Sequence, residues 1–237
     1  MIFFIVFSLV LLSVYSYVGY KLIISTKIKF NIQVLLIGIL LTFYLLPIST
    51  LLFQFNKIEN DFTTIIAWIG YTGLGGISLL FFMLICIDCF HLLKTTITTT
   101  HKFDPQRKEF ITLGTKALVG IMGGIGTIWG LYSALKTPKI IQVKIPIQNI
   151  PDSIKKIRLA QITDLHVSKM ITDKYVQRVT NQLQILNPDI LFFTGDAADG
   201  SVKSYGKYMK SLGDIKPKYG KYFVTGNHEY YSDLNGW

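Results

Sequence analysis

Four membrane-spanning helices followed by a partial α/β domain is the fold class that this 237-residue chain predicts. Three observations predict it. Only 16% of the residues are charged and 50% are hydrophobic, where a soluble domain averages about 25% charge. The deficit is local: residues 1–135 hold nine of the 24 lysines and arginines and five of the 14 acids, and the rest follow. At the same boundary, long uncharged apolar runs give way to short strand-like runs alternating with helical ones. This composition excludes a disordered or collagen-like chain, and two cysteines exclude a disulfide scaffold.

The four apolar stretches cover about 2–20, 32–55, 62–87 and 117–135. Each approaches the roughly 20 residues that cross a bilayer as helix, the state in which backbone groups satisfy one another in hydrocarbon. Tyr15, Tyr17, Tyr20, Phe53, Phe55, Trp129 and Tyr132 gather near their ends, as interfacial anchors do. The first stretch lacks a basic start and a small-residue cleavage site, so it reads as a span and not as a signal peptide. Lys21, Lys27 and Lys29 occupy the first connection, and Lys94, Lys102, Arg107 and Lys108 the third. The second has Lys57 beside Glu59 and Asp61. The positive-inside rule then puts connections one and three in the cytoplasm and everything after Leu135 outside. Between apolar runs these lysines read as membrane flanks, and no nucleic-acid partner is expected. Thr95 to Glu109 reads as a loop.

Three features inside the spans invite functional readings and receive structural ones. The glycines of the fourth span, with small-xxx-small spacing at Gly126 and Gly130, read as a helix-packing surface. No strand precedes them and no Lys-Ser/Thr follows, so they do not make a phosphate loop. Cys86, Cys89 and His91 are a partial ligand set without a second pair of cysteines. Asp88, near the end of the third span, reads as a solvated or snorkelling group.

From residue 136 to 237 the periodicity changes. Lys139 to Ile145 alternates like a strand, and Asn149-Ile-Pro151-Asp152 is turn chemistry. Ile157 to Thr163 is a short apolar strand. Thr172 and Asp173 open a helix whose apolar face is Val176, Val179, Leu183 and Leu186, stopped at Asn187-Pro188. Ile190 to Phe193 is a second strand, Ser201 to Leu212 a weaker helix, and Tyr222 to Thr225 a third strand. Strand-helix-strand-helix-strand implies right-handed crossovers and a parallel sheet.

The polar residues fall where chemistry is expected. The three strands end in Asp164-Leu-His166, Gly195-Asp196-Ala-Ala-Asp199 and Gly226-Asn227-His228-Glu229. In a parallel α/β sheet the carboxyl ends of the strands share one edge, and ligands bind in the crevice there. Taken singly, Asp164 and Asp196 read as helix caps and His166 as a surface histidine; their conjunction at successive strand ends points to a divalent-metal site. Oxygen and imidazole donors without thiolate suit Mn, Fe, Zn or Mg.

These three words, in this order and at strand ends, resemble the first signature blocks of the calcineurin-like metallophosphoesterases. Gln161-Ile-Thr-Asp-Leu-His166 and Gly226-Asn-His-Glu-Tyr-Tyr231 are similar to a membrane-anchored bacterial branch of that family. The resemblance covers about residues 139–237. It implies the first β-α-β-α-β half of an α/β sandwich. It implies two divalent metal ions, the first held by Asp164 and His166, both bridged by Asp196, the second held by Asn227. It implies that His228 acts on the phosphate, with Asp199 and Glu229 in support. The implied reaction is in-line hydrolysis of a phosphomonoester or phosphodiester beside a lipid bilayer, on a lipid-linked or envelope phosphate, at a bacterial cytoplasmic membrane with the phosphoesterase part outside. The family continues with further histidine ligands, whereas this chain has four histidines, none after His228. The expectation is therefore a truncated, inactive chain. The other reading is a non-catalytic membrane protein whose remnant domain binds metal, a lipid head group or a partner.

Overall fold

The computed structural model describes the chain except Met1, Lys27, Lys57, Glu59, residues 98–103, Ile150 and residues 152–155. It divides into two compact units, Met1–Ala134 and Leu135–Trp237.

The first unit consists of four helices. Helix α1 (Ile2–Gly19) continues as one π-helical turn, Tyr20–Ile24, and is followed by α2 (Phe30–Phe55), α3 (Asp61–Ile97) and α4 (Pro105–Leu135). All four are long and apolar enough to cross a membrane. Their surfaces are largely apolar and exposed, as lipid-facing helices are. Leu11, Tyr15, Val18, Leu84 and Val119 are buried between them. Helices α3 and α4 run past the predicted spans on the side of the third connection, so Thr95–Ile97 and Pro105–Glu109 are helical. The middle of the expected Thr95–Glu109 loop lies outside the described residues.

Two details of the bundle differ from the sequence reading. The glycines that seat a neighbour are Gly123 and Gly126, one turn earlier than the Gly126–Gly130 pair. A Cβ at Gly123 would lie 2.4 Å from Leu80 Cδ2, and one at Gly126 would lie 2.6 Å from Leu79 Cδ2, whereas Gly130 faces open space. Asp88 is not a lone solvated group. Lys21 Nζ donates to its carboxylate at 2.7 Å and the Tyr17 hydroxyl donates at 2.7 Å, which ties the end of α1 to α3. An ionisable residue among apolar helices is costly unless it is paired, and this clasp supplies the pair.

The second unit is a three-stranded parallel sheet in the order β1-β2-β3, with β1 Leu159–Ile162, β2 Ile190–Thr194 and β3 Lys221–Val224. Leu159 pairs with Ile190, and Leu191 with Lys221. The β1–β2 crossover is α5 (Asp173–Leu186). Thr172 sits at its N-cap in extended backbone, without a side-chain capping bond. Asn187, at φ 43°, closes its C-terminus in the left-handed region, a conformation that asparagine tolerates better than most residues. The β2–β3 crossover is broken into α6 (Val202–Tyr205), a 3₁₀ turn (Gly206–Met209) and α7 (Lys210–Gly213). The single helix expected over Ser201–Leu212 is interrupted at Gly206, a residue of low helical propensity.

Val176, Val179 and Leu183 of α5 are buried with Ala160, Leu191, Tyr205, Leu212 and Ile215 in one core. Strand residues alternate between faces: Ala160 and Leu191 enter this core, while Leu159, Tyr222 and Val224 stand exposed. Lys139–Ile145, expected as a strand, joins no ladder, and Ile141, Val143 and Ile145 are exposed. Alternation describes a strand only where another backbone pairs with it. Ile150 and Asp152 of the expected turn lie outside the described residues; Asn149 has φ 62°.

Candidate metal and phosphate site

The site is built where β1 and β2 continue past the sheet. The two strand-end loops remain zipped together: Asp164 N donates to Gly195 O, His166 N to Asp196 O, Val167 N to Ala197 O and Asp199 N to Val167 O, at 2.9–3.2 Å. Within this run Asp164 (φ 52°), His166 (46°), Gly195 (82°) and Asp196 (52°) all adopt left-handed backbone. Non-glycine residues rarely do so, Asp, Asn and His being the usual exceptions. Such conformations concentrate at functional sites, where surrounding structure holds them in place.

Two glycines let the third strand end join the other two. A Cβ at Gly195 would lie 2.6 Å from Gly226 N, and one at Gly226 would lie 2.2 Å from Asp196 Oδ1. Neither position accepts a side chain without displacing the carboxylate or the loop.

Glu229 fastens the same junction from beneath. It is fully buried. Its Oε2 accepts from Gly226 N at 2.7 Å and Asp196 N at 2.9 Å, and its Oε1 accepts from Ala197 N at 2.6 Å. Three backbone donors that would otherwise be unsatisfied share one carboxylate, and charge-assisted bonds of this kind are among the stronger ones. The sequence reading assigned Glu229 a supporting role without indicating this arrangement, because its partners are 3, 32 and 33 residues away.

The functional side chains sit on this platform. His166 Nε2 lies 3.7 Å from Asp164 Oδ1 and 3.8 Å from Asp196 Oδ2. These three donor atoms fall within 4.8 Å of one another, as do those of His166, Asp199 and His228. Asp196 uses its other oxygen, Oδ1, to accept from His228 N at 2.9 Å, near the start of α8 (Asn227–Ser232). Neither Asp164 nor Asp196 caps the helix that follows its strand, whose N-cap residues are Thr172 and Ser201; the second oxygen of Asp196 is turned to His166. Thr163 Oγ1 holds Asp164 Oδ2 at 2.6 Å. Asn227 is the first residue of α8 and is exposed.

Asp199 organises both imidazoles. Its Oδ1 is 2.7 Å from His166 Nδ1 and 2.9 Å from His228 Nδ1, and the two rings meet edge to face with centroids 4.5 Å apart. A carboxylate only accepts hydrogen bonds, so in neutral His166 the Nδ1 carries the hydrogen and Nε2 is left with a free lone pair. For His166 that lone pair faces Asp164 and Asp196. Burial pulls His166 downward, but Asp199, reinforced by the charges of Asp196 and Asp164, outweighs it and holds the imidazole above its ordinary value. The edge ends at Tyr231, whose ring centroid is 6.1 Å from that of His228. The donor set fits a divalent cation: two carboxylates converge on one imidazole nitrogen whose tautomer is already set. Cys86, Cys89 and His91 form no donor cluster among the described residues.

Residues 157–237 match the calcineurin-like phosphoesterase family. A Danio rerio protein called transmembrane protein with metallophosphoesterase domain is 30% identical over 173 residues, covering 71% of this chain and 39% of the relative. An uncharacterized metallophosphoesterase of Campylobacter jejuni is 30% identical over 105 residues, 44% of this chain and 27% of the relative. The UDP-2,3-diacylglucosamine pyrophosphatase LpxG of Chlamydia trachomatis is 28% identical over 126 residues, 51% of this chain and 38% of the relative. The matched regions thus span about two fifths or less of these relatives' lengths. No solved structure matches. The family match covers all three strands and the three strand-end words, so the chain carries a calcineurin-like metallophosphoesterase domain behind four helices long and apolar enough to span a membrane.

Proposed function

We propose that this chain is a multi-pass membrane protein of a phosphoester-hydrolysing class, with Asp164, His166, Asp196 and Asn227 holding divalent metal and His228 acting on the phosphate. The observation that carries the reading is the convergence of His166 Nε2, Asp164 Oδ1 and Asp196 Oδ2 on one point at the strand ends.

Asp164 and His166 would take one ion, Asp196 would bridge to a second, and Asn227 would hold that second ion with a neutral amide oxygen. Bound divalent ions supply phosphate clamping and a water of lowered pKa. The chain's own residues do the rest. Asp199 accepts from the Nδ1–H of His166 and lies 2.9 Å from His228 Nδ1, which keeps the His228 ring beside His166, where it would pass a proton to or from a phosphate oxygen. Thr163 and the left-handed backbone fix the Asp164 carboxylate. Glu229 keeps the Gly226 turn against Asp196, which sets the distance between the second and third strand ends.

The substrate class we infer is a phosphate ester or anhydride presented at a membrane surface. The four apolar helices support this, and one relative is named for pyrophosphatase action on a diacylglucosamine nucleotide. The lysine distribution supports a bacterial-type orientation, with the basic connections in the cytoplasm and the metal-binding side chains on the opposite side. Among the described residues the site holds His166 and His228, fewer imidazoles than the family resemblance implies, so metal uptake is the primary readout.

The test is calorimetric titration of the detergent-solubilised chain with Mn²⁺, followed by hydrolysis of bis-p-nitrophenyl phosphate. Two ions per chain are expected, with uptake lost in Asp196→Asn. Absence of saturable uptake would remove the basis of the reading. Tight uptake without any turnover would favour a metal-binding domain without catalysis.

A further inference from the structure

We propose that the basic end of the helix bundle binds the headgroup of an anionic phospholipid, at a site centred on Lys116 and independent of the metal centre. At this end the π-helical turn that closes α1, the start of α2, the last turns of α3 and the first turns of α4 come together. Gln33 Nε2 donates to Ile23 O and Thr26 O, which fixes α2 to the end of α1. Lys116 Nζ donates to Ser25 Oγ at 2.7 Å and to Ser25 O at 3.2 Å, which fixes α4 to the same turn. Lys21 reaches Asp88 from α1.

The charges do not balance. Asp88 is taken by Lys21. Lys116 finds only hydroxyl and carbonyl oxygen, with no carboxylate at ion-pair distance among the described residues. Lys29 and Arg107 are exposed at the same end. Between residues 21 and 29 and between 88 and 116 the sequence holds eight basic residues and three acidic ones. An anion beside Lys116 would satisfy the third donor of its ammonium.

The surroundings select a lipid over a free ion. Ile24, Phe110 and Leu113 are exposed around this cluster, so a phosphate seated at Lys116 has apolar helix surface beside it for acyl chains. Clustered Lys and Arg next to a membrane span attract anionic headgroups for this reason.

The experiment places the full chain in nanodiscs of phosphatidylcholine with a minor fraction of phosphatidylglycerol and counts co-purifying lipid by native mass spectrometry. Phosphatidylglycerol is expected to be enriched over its bulk fraction. The enrichment should fall roughly fivefold for each cation removed in Lys116→Gln and Lys29→Gln and persist in Lys116→Arg. Melting in phosphatidylcholine alone should stay unchanged in Lys29→Gln, which separates lost binding from lost folding. Mn²⁺ uptake should be unaffected, so failure here is distinct from failure of the phosphoesterase reading. Retention of phosphatidylglycerol at bulk proportion, equal retention in Lys116→Gln, or equal thermal stabilisation by inorganic phosphate would each overturn the proposal.

Discussion

Asp199 shows how one carboxylate oxygen can set the chemistry of two rings. With Oδ1 close to both His166 Nδ1 and His228 Nδ1, a single substitution alters both the proposed metal ligand and the proposed proton carrier. Burial lowers the affinity of His166 for a proton, but Asp199, Asp196 and Asp164 raise it by more. A raised imidazole stabilises the folded, metal-free domain most fully below its unfolded pKa, about 6.5. That contribution is lost as pH rises through the higher folded value. Metal acts in the opposite sense: uptake displaces the proton on Nε2, so affinity climbs as pH rises through the same interval. Asp199→Asn is expected to move that midpoint to lower pH and to weaken Mn²⁺ binding about 10–100-fold, the usual cost of losing a partner that orients a ligand. Calorimetry of both chains across pH 5–8 measures it. An unshifted midpoint would mean that Asp199 does not govern His166.

At the scale of the element, the bundle and the sheet domain hold together by different means. The sheet domain buries an apolar helix face: Val176, Val179 and Leu183 recur along α5 at helical spacing and enter a core with the strands. The helices of the first unit have little to gain from apolar contact, since lipid tails are equally apolar, so close side-chain seating and interhelical polar bonds carry more weight. Gly123 is such a seat, with a virtual Cβ 2.4 Å from Leu80 Cδ2 and 3.0 Å from its Cγ, while Gly124 has nothing within 4 Å. Gly123→Leu should therefore destabilise the bundle by about 1–3 kcal/mol, the range for overpacking, and Gly124→Leu should be tolerated. Thermal melts of the detergent-solubilised chains compare the two, and equal melting temperatures would show that the seat does not matter. The seating register was not legible beforehand because glycines at 123, 124, 126 and 130 offer several spacings, and only the positions of Leu79 and Leu80 choose among them.

For the whole molecule, legibility followed the range of the interactions. The four spans and the strand ends were readable because each is a continuous stretch of chain with its own apolar run. The Lys21–Asp88 clasp, 67 residues apart, and the double contact of Asp199 were not, since each joins distant segments whose register a sequence does not display. Lys139–Ile145 has the alternation of a strand but no partner backbone. Membrane topology is the property for which the sequence argues most directly. Four helices of spanning length would return the chain to the side where it began, and in the proposed orientation the lysines put connections one and three in the cytoplasm. Lys136, Lys139 and Lys144 oppose this mildly, but the first and third connections carry seven basic residues between them. With Cys86 and Cys89 replaced by serine, a cysteine at Thr26 should resist a membrane-impermeant maleimide in intact cells, and one at Ser201 should react. Permeabilised cells should label at both positions, which shows that each thiol is reachable. The reverse pattern in intact cells would place the proposed metal-binding carboxylates in the cytoplasm, where the substrate would have to be a cytoplasmic phosphate ester and not one of the envelope.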